Sequence, residues 1–305
     1  MRGVFVDAND SLAEIFERQR GAGDPDVRVN LDPNIRPEQW PVVLGGAEIG
    51  VVDHTALPTD IARQCPGLKH IVFLGTGARS YMNPDELAKL GIAVHLIKGY
   101  GNTAVAESAI ALMWASARVL AQMDREMRLG NWLREDGMQL TGKTLGLIGF
   151  GGIAAEVARI ASGSGMKLIA WNRTPKTSAN VEFVDLDTLL KRSHVVSIHL
   201  LLNEETRGII TREKIAAMRR GVILINTARG ALIDEAALIE GLRSGHIGQA
   251  GLDVFHAEPL KLDHPLALME NVTLSSHAGF RTLEASMILM RRAIDIVRTI
   301  RAGAG

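Results

Sequence analysis

The sequence predicts an α/β protein with two doubly wound parallel-sheet domains, and three observations support this fold class. The 305 residues exceed the roughly 250 that a single hydrophobic core usually holds. Short apolar runs recur along the chain, and helix-like stretches separate several of them. Near-continuous apolar runs are typical of parallel strands, which crossover helices cover on both faces. The glycine-bearing segment KGYGN (98–102) then separates a first series of runs from a second.

The first series predicts one domain and the start of the next. Its four predicted strands span 3–7, 49–54, 70–75 and 92–97. A long helical pattern follows from Thr103 to Leu129, apolar around most of its circumference, with Asn102 or Thr103 as its N-cap. We therefore place a domain boundary and a hinge at 98–101.

The second series predicts six strands, at 144–149, 167–171, 195–200, 222–226, 250–255 and 272–276. A final helix over 283–301 carries apolar residues on one side and a basic face on the other, which we interpret as solvated. The residues of that face are Arg291, Arg292, Arg298 and Arg301. The predicted domains are 1–98 plus 280–305, and 99–279.

Composition and charge exclude several classes of protein. Hydrophobic residues make up 47% and charged residues 22%, which is ordinary for a globular protein, and 34 basic side chains balance 34 acidic ones. No overall field favours nucleic acid or an anionic membrane as a partner. Cys65 is the only cysteine, so no intramolecular disulfide can form. The N-terminus resembles no signal peptide and no run reaches 18 apolar residues, so we expect a soluble, cytoplasmic protein.

The segment GFGGIA (149–154) matches the pattern G-x-G-x-x-G/A. It follows an apolar strand and opens a helix, the context in which this pattern predicts a Rossmann-like dinucleotide site. Gly149 would permit a tight turn, Gly151 would let the backbone approach a pyrophosphate, and Ala154 would keep helix and sheet close. The helix N-terminus offers unpaired N–H groups to the phosphates. We expect Gly152 and Ile153 to border the cofactor as well.

The next strand ends in NRTPK (172–176), where NAD-binding sites carry an acid for the ribose hydroxyls. Asn172 occupies that position and would not repel the 2′-phosphate of NADP. Arg173 and Lys176 add positive charge, and Thr174 adds a hydroxyl. The pattern favours NADP and leaves NAD possible. The alternative is that the two cations are simply exposed loop residues.

Three polar residues follow strands of the second series. Ligands of open α/β sheets lie outside the carboxyl ends of the strands, so polar residues there matter most. Arg229 follows the strand 222–226, Glu258 follows 250–255, and His277 ends 272–276. We expect all three at the sheet edge that also carries the glycine loop.

Five motifs follow one another along nearly the whole chain. They read VAESAIALMWASAR, GLIGFGGIA, NTARGALIDEAAL, GLDVFHAEPL with HPL, and SSHAGFRT. In their order and spacing the chain resembles the D-isomer-specific 2-hydroxyacid dehydrogenases, the family that includes phosphoglycerate, glyoxylate and hydroxypyruvate reductases.

The resemblance implies a role for each strand-end residue. Arg229 would bind the 2-oxo acid, since its planar fork suits a carboxylate. His277 would protonate the carbonyl oxygen and remove that proton in the reverse direction. Glu258 would hold the imidazole. Taken singly, each could instead be structural: a strand-end ion pair, a loop carboxylate or a core histidine.

The same resemblance extends to residues around the reacting atoms. Asp253 would face the nicotinamide carboxamide, and Thr227 and Ala228 would pass beside the cofactor. In the first domain, the backbone N–H groups of Thr76 and Gly77 would bind the substrate carboxylate. The family further implies a cleft between the domains, closure about hinges, and a homodimer. The substrate would be a small 2-oxo or 2-hydroxy acid such as glyoxylate, hydroxypyruvate or a phosphoglycerate-like compound.

Two other functions stay open at this point. Relatives of this fold include dinucleotide-sensing regulatory proteins with little turnover, and some of them keep the three strand-end residues. A formate dehydrogenase is disfavoured because the stretch SSHAGF lacks the glutamine expected near the histidine. The remaining histidines show no metal-binding spacing, so no metal site is expected. They include His54, His70, His95, His194, His246 and His264.

Overall fold

The computed structural model describes residues 1–303, and contacts divide the chain into two compact units. Unit 1 is Met1–Gly101 together with the segment from Arg281 onward, and unit 2 is Asn102–Phe280. Each unit contains one parallel sheet with helices, so the predicted fold class, two Rossmann-like parallel-sheet α/β domains, is confirmed.

Unit 1 has a five-stranded parallel sheet in the order β2-β1-β3-β4-β5. Its strands are β1 (Gly3–Phe5), β2 (Val27–Val29), β3 (Ile49–Val52), β4 (His70–Phe73) and β5 (Ala93–Leu96). Its first helices are α1 (Asp10–Gln19), α2 (Trp40–Leu44), α3 (Thr59–Ala62) and α4 (Pro84–Lys89). Sequence reasoning missed β2, which has three residues of which only Val27 is buried.

Unit 2 has a seven-stranded parallel sheet in the order β12-β11-β10-β9-β6-β7-β8. The strands are β6 (Thr144–Ile148), β7 (Lys167–Trp171), β8 (Glu182–Phe183), β9 (Val195–Ile198), β10 (Val222–Asn226), β11 (Ile247–Leu252) and β12 (Val272–Leu274). The helices are α5 (Asn102–Ala117), α6 (Leu120–Arg128), α7 (Gly152–Gly163), α8 (Leu186–Arg192), α9 (Arg212–Ala217), α10 (Glu235–Arg243) and α11 (Pro265–Leu268). The strand order reverses between β6 and β9, which is where such sheets bind dinucleotides.

The prediction of a single long helix from Thr103 to Leu129 is wrong. Val119 adopts φ +55°, in the left-handed region, so the chain breaks into α5 and α6, whose axes differ by 66°. Asn102 is the first helical residue of α5 and not its cap. Within residues 1–303 no single helix is long and apolar enough to cross a membrane. Only α5 and α6 taken together, as a bent pair, reach that length and apolar composition. α5 packs against α7, β10 and β11 in the core of unit 2.

The last helix, α12 (Leu283–Ala302), returns to unit 1 and packs on α1. The sequence predicted that the basic face of α12 is solvated, but part of this face is bound to another segment of unit 1. Arg291 donates to both carboxylate oxygens of Asp24, at 2.8 and 3.0 Å, and Arg298 also pairs with Asp24. The Asp24 side chain is only 1% exposed, and the hydrogen bonds from Arg291 hold its pKa well below the usual range. This face therefore fastens α12 to the loop between α1 and β2.

Candidate active site

The glycine loop joins β6 to α7 with backbone geometry that requires small residues. Gly149 has φ +87°, and a Cβ there would lie 2.7 Å from the carbonyl oxygen of His199. A Cβ on Gly152 would lie 2.3 Å from Nδ2 of Asn102. A Cβ on Gly151, by contrast, would meet no atom within 4 Å. The open space at Gly151, in front of the α7 N-terminus, fits the pyrophosphate of a dinucleotide.

Asn172, at the end of β7, links this loop to the segment that follows it. Its Oδ1 accepts a hydrogen bond from the Phe150 N–H at 3.0 Å, and its Nδ2 donates to the carbonyl of Thr174 at 2.7 Å. The Nζ of Lys176 donates to the Phe150 carbonyl at 2.6 Å. Both ends of the Asn172 amide are thus engaged within the protein, a role that the sequence did not reveal.

Arg173 has a partner that the sequence did not predict. Its guanidinium pairs with the carboxylate of Glu205, and the two side chains are 73% and 69% exposed. An exposed pair of this kind contributes little to stability. An anion with more charge than a carboxylate can therefore compete for the same cation.

The turn after β10 positions Arg229 through a buried asparagine. Asn226 is 1% exposed; its Oδ1 accepts from the Ala228 N–H at 3.0 Å, and its Nδ2 donates to the Arg229 carbonyl at 2.9 Å. The hydroxyl of Thr227 is buried and has no hydrogen-bond partner in the part of the chain that the structure describes. An orphaned polar atom at this sheet edge fits a bound polar ligand. Sequence reasoning named Thr227 but missed Asn226.

The loops after β10 and β11 touch each other closely. A Cβ on Gly230 would lie 2.2 Å from the backbone carbon of Phe255, so only glycine lets the two segments approach. The N–H of Phe255 donates to Oε1 of Glu258 at 2.9 Å. The turn that carries Arg229 and the loop that carries Glu258 are therefore packed as one piece.

His277 and Glu258 form a hydrogen-bonded pair. Nδ1 of His277 lies 2.7 Å from Oε2 of Glu258, and since a carboxylate only accepts, Nδ1 donates. His277 itself has φ +54°, an unusual backbone conformation for a residue other than glycine. Both side chains remain about one-third exposed, at 36% and 35%. The geometry leaves Nε2 of His277 as the ring nitrogen that can face a ligand.

Asp253 fixes the turn that holds His277. It is 2% exposed, and its two carboxylate oxygens accept from the N–H groups of Ala278 and Gly279, each at 3.0 Å. Its carbonyl accepts from the His277 N–H at 2.8 Å. Asp253, expected beside the nicotinamide, thus also determines the backbone conformation of His277.

His199 is a further polar residue at this edge; it is half-buried, and the sequence did not single it out. It follows β9 beside the glycine loop, and its Nε2 lies 2.9 Å from the hydroxyl of Ser197. Burial lowers the pKa of His199 to about 4. The imidazole is therefore neutral at physiological pH and adds no charge beneath the loop.

Thr76 and Gly77 lie in unit 1, in the loop that follows β4. Within residues 1–303 the N–H groups of these two residues have no intrachain acceptor, although Gly75 and Ser80 beside them donate to backbone carbonyls. Two free N–H groups in succession suit a carboxylate. No group of three or more His, Cys, Asp or Glu side chains in the described part of the chain could hold a metal ion, although His70 and His95 lie 3.2 Å apart.

Comparison with known proteins gives the family. Residues 110–279 match the NAD binding domain of the D-isomer specific 2-hydroxyacid dehydrogenases. A hydroxypyruvate reductase of Thermotoga maritima is 43% identical over 251 residues, 81% of either chain. A glyoxylate reductase of Aeropyrum pernix is 36% identical over 96% of this chain and 89% of its own. The solved structure of an acyclic imino acid reductase in complex with NADPH and D-Arg superposes with a TM-score of 0.86 at 28% identity, covering 99% of this chain and 98% of that one. The chain belongs to the D-isomer specific 2-hydroxyacid dehydrogenase family, and it is an NAD(P)-dependent oxidoreductase.

Proposed function

We propose that this protein reduces a small 2-oxo acid to the corresponding D-2-hydroxy acid with a preference for NADPH. The observation that carries the proposal is the Glu258–His277 pair. Because Nδ1 of His277 donates to Glu258, a proton on Nε2 is free to move to the carbonyl oxygen of a substrate. In the reverse direction the neutral imidazole would remove the hydroxyl proton, and Glu258 would stabilise the resulting imidazolium.

The substrate carboxylate would be held by Arg229, and the resemblance to the family gives the N–H groups of Thr76 and Gly77 a role in binding a carboxylate. The guanidinium of Arg229 donates only one described hydrogen bond, to the Ala228 carbonyl at 2.6 Å, so most of its five N–H donors are available. Its positive charge would also polarise the carbonyl that accepts the proton.

The dinucleotide would be held along one edge of the unit 2 sheet, where it supplies the hydride when bound. Gly149, Gly151, Gly152 and Ile153 would surround the pyrophosphate, since the space at Gly151 is open and α7 begins there. The orphaned hydroxyl of Thr227, with Ala228 and Asp253, would line the nicotinamide end.

The preference for NADPH rests on the end of β7. No carboxylate follows this strand directly, because Asn172 stands there and uses its amide to hold the glycine loop. Arg173 would pair with the 2′-phosphate in place of Glu205, and Thr174 would add a hydroxyl. A structural relative that was solved with NADPH adds support. We further propose a homodimer in the cytoplasm, as the resemblance to the family implied.

Turnover tests the proposal directly. Purified protein is mixed with NADPH or NADH and with glyoxylate, hydroxypyruvate, pyruvate or 3-phosphohydroxypyruvate, and oxidation of the reduced cofactor is followed by its absorbance. We expect turnover of glyoxylate or hydroxypyruvate, with a higher kcat/KM for NADPH than for NADH. Absence of turnover with every 2-oxo acid would refute the proposed activity, and a higher kcat/KM for NADH would refute the cofactor preference alone.

A further inference from the structure

A cavity of about 710 Å³ lies in unit 1 between the edge strand β5 and the C-terminal half of α12. None of the described residues that line it belongs to the candidate active site. Its volume falls within the range of pockets that hold small molecules in proteins. The cavity therefore has room for a ligand, and its lining offers an apolar wall and two polar ends.

The apolar wall comes from both sides of the cavity. Leu96 and Ile97 contribute to it from the β5 side, and Ile296 and Ile300 contribute from α12. Ile97 is 2% exposed and belongs to the core of unit 1, whereas Leu96 remains 37% exposed and the two α12 residues are half-buried. An apolar body placed against this wall would remove the exposed parts of these side chains from water, which favours binding.

Two histidines form one polar end of the cavity. Nδ1 of His70, in β4, lies 3.2 Å from Nε2 of His95, in β5, so one ring donates a hydrogen bond to the other. Burial lowers the pKa of both imidazoles, which are therefore neutral at physiological pH. The two outer ring nitrogens, one carrying a proton and one a lone pair, have no partner among residues 1–303. The pair can therefore donate to a hydroxyl or accept from one.

The other polar end of the cavity is cationic. Lys98 and Arg292 both line it; Arg292 donates to the Lys98 carbonyl, and Nζ of Lys98 has no partner in the part of the chain that the structure describes. The lining also includes Asp295, but its Oδ1 already accepts hydrogen bonds from Arg291 and Arg298. The charge at this end is therefore positive overall, which favours an anionic group.

We propose that this cavity binds a small organic acid with an apolar body, its carboxylate beside Lys98 and Arg292 and a hydroxyl at its far end against the His70–His95 pair. His95 precedes Lys98 by three residues, about 10 Å along an extended chain, so the two ends are separated by the length of such a body. The inference uses no residue of the proposed active site and does not depend on the proposed function.

The test is a calorimetric titration of the whole chain at neutral pH with 3-(4-hydroxyphenyl)propionate, which has a carboxylate, an apolar body and a hydroxyl. We expect saturable binding at one site per chain. The amide of this acid, which lacks the charge, and 3-phenylpropionate, which lacks the hydroxyl, should each bind severalfold more weakly. No binding of the hydroxyphenyl acid would overturn the proposal, and so would a dissociation constant equal to that of either comparison compound.

Variants locate the binding site of the hydroxyphenyl acid. Lys98→Gln should raise its dissociation constant severalfold, and Thr299→Trp, which fills the cavity from an exposed position on α12, should abolish binding. Lys89→Gln removes an exposed cation of α4 outside the cavity and should leave the constant unchanged, as should Arg229→Lys.

Equal dissociation constants in the Lys98 and Lys89 variants would overturn the inference. Weaker binding in the Arg229 variant, with unchanged binding in the Lys98 variant, would place the acid in the proposed active site and overturn the inference as well. Turnover of 2-oxo acids tests the proposed function separately, so failure of one proposal is distinguishable from failure of the other.

Discussion

Oε2 of Glu258 accepts a hydrogen bond from Nδ1 of His277 at 2.7 Å, while Oε1 of the same carboxylate accepts the Phe255 N–H at 2.9 Å. The imidazole is thus held by a group that the backbone itself orients. His277→Ala removes the proposed proton donor, and we expect kcat to fall by about 10²- to 10⁴-fold. The dissociation constant of NADPH, measured by fluorescence titration, should stay nearly unchanged. His246→Ala, another hydrogen-bonded histidine of unit 2, is the control, and equal losses of binding and turnover would make His277 structural.

Glu258→Gln should lower kcat less than His277→Ala does, because the amide still accepts from Nδ1 but does not stabilise an imidazolium. If Glu258 acts through the imidazole, kcat of the double variant (Glu258→Gln with His277→Ala) should be no lower than kcat of His277→Ala alone. A double variant whose loss equals the product of the two single losses would show that Glu258 acts independently of His277. Single-turnover kinetics of all three variants provide the measurement.

Arg229→Lys keeps the positive charge but loses the planar fork of donors. We expect kcat/KM for a 2-oxo acid to fall by about 10- to 100-fold, the effect of losing one hydrogen bond to a charged group. Arg220→Lys is the control, since the exposed Arg220 side chain donates, within residues 1–303, only to the Ser244 carbonyl. Full activity of the Arg229 variant would rule out bidentate binding of the carboxylate.

Because Arg173 pairs with Glu205, we expect the proposed cofactor preference to depend on both residues. Asn172→Asp combined with Arg173→Ala should abolish the preference for NADPH. Glu205→Gln should strengthen it by several-fold, because the 2′-phosphate would no longer compete with a carboxylate for Arg173. Glu204→Gln changes the charge equally at the neighbouring position and serves as the control. A preference that is unchanged in the Glu205 variant would mean that Arg173 does not contact the phosphate.

The pairing of Asp24 with arginines of α12 predicts a contribution to the free energy of unfolding that depends on pH. The pKa of Asp24 is lowered in the folded protein, so its charged form stabilises the fold above the ordinary carboxyl pKa, and this contribution is lost as pH falls toward the folded value. Asp24→Asn should therefore reduce the free energy of unfolding by about 1.5 to 3 kcal/mol at neutral pH, and by progressively less in acid. Urea unfolding at several pH values measures the difference. Asp26→Asn, whose side chain is 92% exposed, should have little effect, and an equal loss at both positions would contradict a role for burial.

The sequence predicted the frame of the fold because most of its strands are buried apolar runs. The strands 167–171 and 222–226 have the predicted bounds. Strands β2 and β8 were missed because neither is a buried apolar run: only Val27 is buried in β2, and neither residue is buried in β8. The break at Val119 was missed because a β-branched residue is the least expected in a left-handed conformation. The ion pair of Asp24 with Arg291 joins residues 267 positions apart, which no local pattern reveals.

In the candidate site, too, the sequence indicated some of the residues and missed others. Motifs name the residues that would meet a ligand, such as Gly151, Arg229 and His277, because their chemistry is tied to short spacings. The residues that orient them act through buried hydrogen bonds, as Asn226 does for Arg229 and Asp253 for His277. One polar residue after a strand looks like any other until its burial and its partners are known. The sequence therefore indicates the reacting groups better than it indicates their supports.

The amide of Asn172 has an evolutionary consequence. Its Oδ1 accepts from the glycine loop and its Nδ2 donates to the Thr174 carbonyl, so an aspartate would keep the first bond and replace the second with two facing oxygens. A single mutation toward an NAD-type strand end would loosen the 173–176 segment before it gained any ribose contact. An exchange at residue 172 is therefore coupled to the conformation of residues 173–176, and a carboxylate could be accepted there only with a further change in that segment.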